Sequence, residues 1–184
     1  GILVPNGEAE LTDLVEALSI ELRPNPVVVA TGTLGSDAPP SMCDGLQVPM
    51  VVLAELTYFP RDSLLEQIAK ETKLDLKELT SVAELIWAFS GVWRQPGFDD
   101  EQRAKNFVVL RTTTLYEKAV ELTKEARPFW LTSITATATQ TEAGRSVVDV
   151  DSSFLNAAGQ TQTWRARIDA TNLFAFQSQS LFRV

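Results

Sequence analysis

The sequence predicts an α+β fold in which N-terminal helices and a short strand pack on a C-terminal three-stranded antiparallel meander. Two observations predict it. Before residue 128, apolar residues recur at the spacing of amphipathic helices. Over about 131–176 they alternate instead with threonines, aspartates and arginines, which is the two-residue period of strands with one buried face. We therefore expect helices first and a sheet last.

The first third of the chain contains one predicted helix and one predicted strand. Residues 8–22 place aliphatic side chains on one helical face, namely Leu11, Leu14, Val15, Leu18 and Leu22. Pro24 ends this helix, because proline lacks a backbone donor and clashes with the preceding turn. Residues 27–30 form a β-branched run bounded by proline and glycine, as is typical of a buried strand. Residues 46–60 are apolar and fit either a strand or a helix.

Three helical segments are predicted in the middle of the chain. Asp62 or Ser63 is the candidate N-cap of the first, because their side-chain oxygens accept hydrogen bonds from the free N–H groups of a first turn. The second covers residues 79–89 and ends at Gly91. Residues 99–122 form one long helix or two, which end before a proline.

Two hairpin loops set the register of the predicted sheet. Glu142-Ala143-Gly144 and Ala157-Ala158-Gly159 both end in glycine, which readily adopts the left-handed conformation of three-residue hairpin loops. The resulting cross-strand pairs are Ala138 with Val148, Ala136 with Val150, Val150 with Ala166, Val148 with Ile168, Asp151 with Arg165, and Asp149 with Arg167. A slip of one residue would bury an arginine on the apolar face, so the loops and the alternation agree on one register.

The composition is that of one globular domain. The 184 residues are 45% hydrophobic and 22% charged, which is enough to bury a sizeable core. We predict a single domain over residues 1–184. Because the sequence starts at Gly1 and not at methionine, it fits either a trimmed chain or a domain excised from a longer one. The formal charge of −8 disfavours nucleic acid and membranes as partners. The single cysteine, Cys43, excludes an internal disulfide and favours a cytoplasmic protein.

The sequence offers few groups for catalysis. It contains no histidine, which excludes a Ser-His-Asp triad, a Cys-His pair and a histidine-ligated metal within this chain. Cys43 therefore has no histidine to activate it and is interpreted as a structural thiol. We name no catalytic residue and expect no cofactor.

Asp149 and Asp151 are the candidate metal ligands, because Mg²⁺ and Ca²⁺ prefer clustered carboxylate oxygens. The predicted register, however, places Arg167 and Arg165 opposite them. Such a ladder of opposite charges stabilises an exposed sheet face without any metal. The ladder also argues against the alternative that the two arginines hold a substrate carboxylate.

The candidate contacts for a peptide or a partner are Trp93, Trp130, Arg165 and Arg167. Indole rings provide large and rigid contact areas, although packing in the core is the ordinary use of tryptophan. A peptide strand can also add to the exposed edge near Ile134.

Five short motifs occur in the order found in one protein family. They are Ala30-Thr31-Gly32-Thr33-Leu34-Gly35-Ser36-Asp37, Ala83-Glu84-Leu85-Ile86-Trp87, Arg103-Ala104-Lys105-Asn106-Phe107, Val148-Asp149-Val150 through Phe154, and Arg167-Ile168-Asp169-Ala170-Thr171. Together they resemble the C-terminal domain of cyanobactin maturation proteases of the PatA and PatG type, over about residues 27–176. The resemblance is to a shortened form, with a contraction between Trp87 and Arg103.

This resemblance implies a role in ribosomal peptide maturation, where the domain accompanies subtilisin-like protease or macrocyclase domains and has no established reaction of its own. The leading hypothesis is a non-catalytic accessory domain that binds precursor peptide or a maturation protease, or that mediates assembly as a homo-oligomer. One alternative is an enzyme acting on a peptide through carboxylates or a divalent metal, with the candidates Asp149, Asp151, Asp37 and Asp99. The other alternative is a purely structural domain of a larger protease.

Overall fold

The computed structural model of the chain describes residues 2–19, 26–92, 97–140 and 144–184. These residues form an α+β structure with two sheets, so the predicted fold class is confirmed. The backbone divides into two compact units, Gly1–Ser63 and Leu64–Val184, which are described separately. A single domain over residues 1–184 stays a prediction.

The N-terminal unit is a three-stranded sheet with one helix. Its elements are β1 (Ile2–Val4), α1 (Glu8–Leu18), β2 (Pro26–Asp37), a 3-10 turn (Pro40–Met42) and β3 (Pro49–Pro60). β3 lies in the centre, parallel to β1 and antiparallel to β2. Gly32 lies at a shift of register between β2 and β3, where a Cβ would overlap the carbonyl oxygen of Val52. The two backbones can therefore approach only because residue 32 is glycine.

This sheet corrects the prediction of one short N-terminal strand. The ambiguous apolar residues become the central strand β3, and the run 27–30 continues to Asp37 as part of β2. The sequence pattern does not predict β1, because three residues are too few to show a period.

The C-terminal unit packs helices on one face of a four-stranded antiparallel sheet. Its helices are α2 (Arg61–Thr72), which begins before the unit boundary, α3 (Leu76–Ser90), α4 (Asp100–Arg111) and α5 (Thr113–Thr123). Its strands are β4 (Phe129–Gln140), β5 (Ser146–Asn156), β6 (Thr161–Asp169) and β7 (Phe176–Arg183), in that spatial order. None of the described helices has the length and the apolar character that crossing a membrane requires.

The helix boundaries follow from local capping. The Asp75 carboxylate accepts hydrogen bonds from the backbone N–H groups of Lys77 at 3.0 Å and Glu78 at 3.2 Å, which starts α3. Gly91 ends α3 with a positive φ of 67°. The predicted segment 99–122 forms two helices, since α4 ends at Arg111, α5 begins at Thr113, and Thr112 caps both.

The apolar face of the sheet and the facing sides of α3, α4 and α5 form the core of this unit. Its buried side chains include Ile86, Val108 and Leu115 from the helices and Val148, Val150 and Ile168 from the strands. One hydrogen-bonded chain joins the three helices. The indole N–H of Trp87 donates to the Tyr116 hydroxyl at 3.0 Å, and that hydroxyl donates to the Val109 carbonyl oxygen at 2.6 Å.

The predicted register of the C-terminal sheet is confirmed, since every predicted cross-strand pair occurs. Gly159 has the expected positive φ of 78°, as does Gly144 with 67°, whereas residues 142 and 143 lie outside the described residues. The predicted number of strands is wrong, because β7 adds a fourth strand beside β6. Its Gln-Ser-Gln-Ser segment shows no apolar alternation, since most of its residues are exposed at the edge of the sheet.

Candidate functional site

Two aspartates and two arginines form a continuous ion-pair ladder across β5 and β6. Arg165 donates to both carboxylate oxygens of Asp151, from Nε at 2.6 Å and from Nη2 at 2.7 Å. Arg167 donates to Asp149 in the same way, at 2.7 and 2.9 Å. A further contact of 3.0 Å joins Arg165 Nη1 to Asp149 Oδ2. The four side chains are therefore one neutral network.

The strand pairing builds this ladder directly. Asp149 lies opposite Arg167, and Asp151 lies opposite Arg165, so each carboxylate meets a guanidinium on the same face of the sheet. The aspartates pair with two threonines of β4 on their other side. The arginines pair with Gln179 and Phe182 of β7.

The ladder favours the charged form of its members. Hydrogen bonds from Arg167 lower the pKa of Asp149, and this effect exceeds the opposite effect of burial. The hydrogen bonds to Asp151 and Asp149 likewise raise the pKa values of Arg165 and Arg167. The Asp149 side chain is only 8% exposed, so its charge depends on these partners.

The candidate metal ligands Asp149 and Asp151 are adjacent on this face, but their four oxygens accept guanidinium N–H groups. A divalent cation would have to compete with two fixed positive charges for the same oxygens. Within the described part of the chain, no group of three or more Asp, Glu, Cys or His residues is arranged to hold a metal ion. The geometry suits ion pairing between strands.

The structure brings together some of the predicted contact residues. Arg165 and Arg167 are adjacent in the ladder. Trp130 is 50% exposed and pairs with Leu155 towards the other end of the same face. Trp93 lies outside the described residues.

The two remaining candidate carboxylates have separate positions. Asp99 is the N-cap of α4, where it accepts the backbone N–H of Gln102 at 2.7 Å. Asp37 is the last residue of β2 in the N-terminal unit.

A second polar cluster, which the sequence does not predict, joins the start of α4 to the loop after β6. Arg103 Nη1 donates to the carbonyl oxygens of Asn172 at 2.8 Å and Leu173 at 3.1 Å, and Nη2 donates to that of Ala170. Asp100 accepts from Arg103 at 2.6 Å and from the Ser146 hydroxyl. The Ser146 and Arg103 hydrogen bonds lower the pKa of Asp100. We call Arg103, Asp100, Ser146 and residues 170–173 the α4 clamp.

Asp169 orders the same loop from the end of β6. Its carboxylate accepts the backbone N–H of Thr171 at 3.0 Å and the guanidinium of Arg145. The Thr171 hydroxyl oxygen in turn accepts the backbone N–H of Ser146 at 2.9 Å. Hydrogen bonds from Thr171, followed by those from Arg145, lower the pKa of Asp169 to about 2.

The profile of a protein family described as PatG C-terminal matches residues 75–181, which is more than half of the chain. The chain belongs to the PatG C-terminal family. The match starts at Asp75, the N-cap of α3, and ends within β7. The ion-pair ladder and the α4 clamp therefore both lie within the matched residues.

A solved structure titled "PatG Domain of Unknown Function" is similar to this chain in fold. The TM-score is 0.62 at 16% sequence identity, and the match covers 99% of this chain and 76% of that chain. The shortened form and its contraction between Trp87 and Arg103 stay predictions, and residues 93–96 lie outside the described residues. The comparison with curated proteins finds no match.

In this member of the PatG C-terminal family, two of the short sequence motifs meet in space. The motif that starts at Arg103 contacts the motif that ends at Thr171, through a hydrogen bond to Ala170 across 67 residues of sequence. A single sequence contains no periodic signal for such a contact. The two motifs share a structural task, since the arginine of one holds the loop that follows the strand of the other.

Proposed function

We propose that this chain is a non-catalytic accessory domain of cyanobactin-type peptide maturation and that it acts by binding the precursor peptide. Membership of the PatG C-terminal family carries this proposal. The similar solved structure is titled a PatG domain of unknown function, which supports the family setting and names no reaction. The proposal includes a cytoplasmic location, because the free thiol of the single cysteine is stable in that reducing compartment.

The ionised ladder supports a non-catalytic role for the sheet face. A general base needs a free lone pair and, for work near neutral pH, a raised pKa. Asp149 has a lowered pKa, and both its oxygens accept hydrogen bonds from arginines. Its surroundings therefore make this carboxylate a weak base that is already bonded.

The proposal is tested by titrating the 184-residue chain into its fluorescently labelled cognate precursor peptide, with fluorescence anisotropy as the measurement. We expect saturable binding, and no binding to a scrambled peptide of the same composition. A parallel titration uses the partner maturation protease, and light scattering after size-exclusion chromatography reports self-association. If the chain binds only the protease, or associates only with itself, its accessory role is in assembly and not in binding of the precursor peptide. The accessory proposal fails if the chain binds neither partner and stays monomeric.

The same samples separate the enzyme alternative from the proposal. An enzyme that used Asp149 with Mg²⁺ or Ca²⁺ would melt at a higher temperature with the metal, because a ligand that binds the folded state stabilises it. That shift would disappear in Asp149→Asn. We expect no metal-dependent shift in either protein.

A further inference from the structure

β4 is an end strand of the C-terminal sheet, and its own residues include none of the usual edge protections. Among the strands that the structure describes, β5 alone pairs with it. Its 12 residues contain no charge and no proline, the two features with which many proteins protect exposed strand edges. Its pairing with β5 is regular from Ser133 to Gln140. This stretch therefore retains the straight backbone that an added strand needs.

The direction of the backbone groups shows which residues form this edge. The N–H of Ala138 donates to Oε1 of Glu101, in the first turn of α4, at 3.1 Å. It therefore points away from β5. Backbone groups alternate in direction along a strand, so the N–H and C=O of Ala136 point outward as well. No described residue makes a hydrogen bond to them.

The accessible part of the edge is short. Thr135, Thr137, Ala138 and Thr139 are exposed, and Ala136 is half-buried. Ile134, the residue near which the sequence predicts an exposed edge, is itself buried. The usable edge therefore runs over residues 135–139 and offers the outward groups of Ala136 and Ala138.

We propose that residues 135–139 of β4 receive an extended segment of the precursor peptide as a fifth strand, and that Glu101 covers this edge until the peptide arrives. The inference rests on the proposed function, which it deepens. Glu101 Oε1 occupies the position where a carbonyl oxygen of an added strand would accept the Ala138 N–H. The carboxylate thus takes the place of a backbone carbonyl oxygen of an added strand, which is the acceptor that the proposed ligand would supply.

A single peptide suits this edge better than a second copy of the chain. A second copy paired through its own β4 would bring its own α4 and its own Glu101 to the same five residues. Two carboxylates would then share a short edge, and like charges at close range destabilise strand pairing. An extended peptide does not bring a second α4 with its Glu101 to this edge.

The test compares three variants in the anisotropy titration with the precursor peptide. Glu101→Ala removes the competing acceptor, so the peptide should bind about two- to tenfold more tightly, the effect of one hydrogen bond of ordinary strength. Ala136→Pro removes an outward N–H without removing a bond to β5, and it should weaken binding about tenfold. Glu117→Ala makes the same charge change at an exposed position of α5 and should leave the dissociation constant unchanged within about twofold.

A second measurement covers the case in which Ala136→Pro fails to fold, which circular dichroism melting reveals. Two N-methylated versions of the precursor peptide are synthesised. Each is methylated at alternate residues, and the two versions together cover every residue. Methylation removes backbone donors from one side of an extended peptide at a time, so one set should lose binding and the other should keep it.

The outcomes separate the edge from the proposed function. If wild-type chain binds the peptide, but neither Glu101→Ala nor either methylated set changes the affinity, the proposal of strand addition at β4 is overturned. The proposed accessory function would then remain. A lack of binding by wild-type chain overturns both. If Glu101→Ala dimerises in a concentration-dependent way and does not bind the peptide more tightly, the occupant of the edge is a second copy of the chain. That result would overturn the proposal of peptide binding at β4.

Discussion

The guanidinium of Arg103 lies 2.8 Å from the carbonyl oxygen of Asn172, although 69 residues separate the two in sequence. Two further carbonyl oxygens of the same loop accept hydrogen bonds from this side chain. Arg103 therefore ties the start of α4 to the loop between β6 and β7. The planar guanidinium suits this task, because its several donors project in fixed directions.

Replacing Arg103 with alanine should lower the free energy of unfolding by about 1.5 to 3 kcal/mol, the range for hydrogen bonds made by a charged donor. Arg103→Lys should recover only part of this, because the single ammonium nitrogen cannot replace the two guanidinium nitrogens that bind separate acceptors. Urea unfolding measures both. Arg111→Ala, at an exposed arginine of the same helix, is the control and should change stability by less than about 0.5 kcal/mol. Equal losses at both positions would contradict the clamp.

The two aspartates of the ladder should differ in their contribution to stability. Asp149 is nearly buried and bonded to two arginines, whereas the Asp151 side chain is 25% exposed and bonded to one. Asp149→Asn should therefore cost about 2 kcal/mol, because it leaves part of a largely buried network uncompensated. Asp151→Asn should cost about 1 kcal/mol or less. Urea unfolding at neutral pH checks the order, and a larger loss for Asp151→Asn would refute it.

Asp169 should contribute stability that is lost in acid. Its pKa is about 2 in the folded chain and 3.8 ordinarily, so the unfolded chain binds the extra proton first as the pH falls. The contribution is complete above pH 3.8 and disappears as the pH falls to about 2. Unfolding measured from pH 5 to about 2 should show a shallower decline in Asp169→Asn than in wild-type chain. Glu66→Gln, at an exposed position in the middle of α2, controls for the loss of one carboxylate.

Tyr116→Phe should lower the free energy of unfolding by about 1 to 2 kcal/mol. The substitution removes a hydrogen bond from Trp87 and one to Val109, both inside the core between the helices, while the ring keeps its packing. The change should also alter the fluorescence of the folded state, because the indole of Trp87 loses its hydroxyl partner. A variant with unchanged stability would show that the hydrogen-bonded chain contributes nothing to folding.

The sequence predicted the ladder because two independent local signals coincide there. The hairpin loops set the number of residues between strands, and the alternation of apolar and charged residues selects the same pairing. β7 escaped prediction because its exposed Gln-Ser-Gln-Ser segment carries no apolar period. The ambiguity of residues 46–60 had a related cause, since a short apolar run fits a buried strand and a buried helix equally well.

The sequence by itself determined which residues face each other across β5 and β6, and with them the partners of Asp149 and Asp151. Strand register is a local property, set by loop length and by a two-residue period. Only the tertiary structure decided that Arg103 holds the loop after β6 and that Glu101 covers the edge of β4. Both contacts depend on how α4 packs across the sheet, and that placement results from side chains far apart in the chain, which no local pattern records.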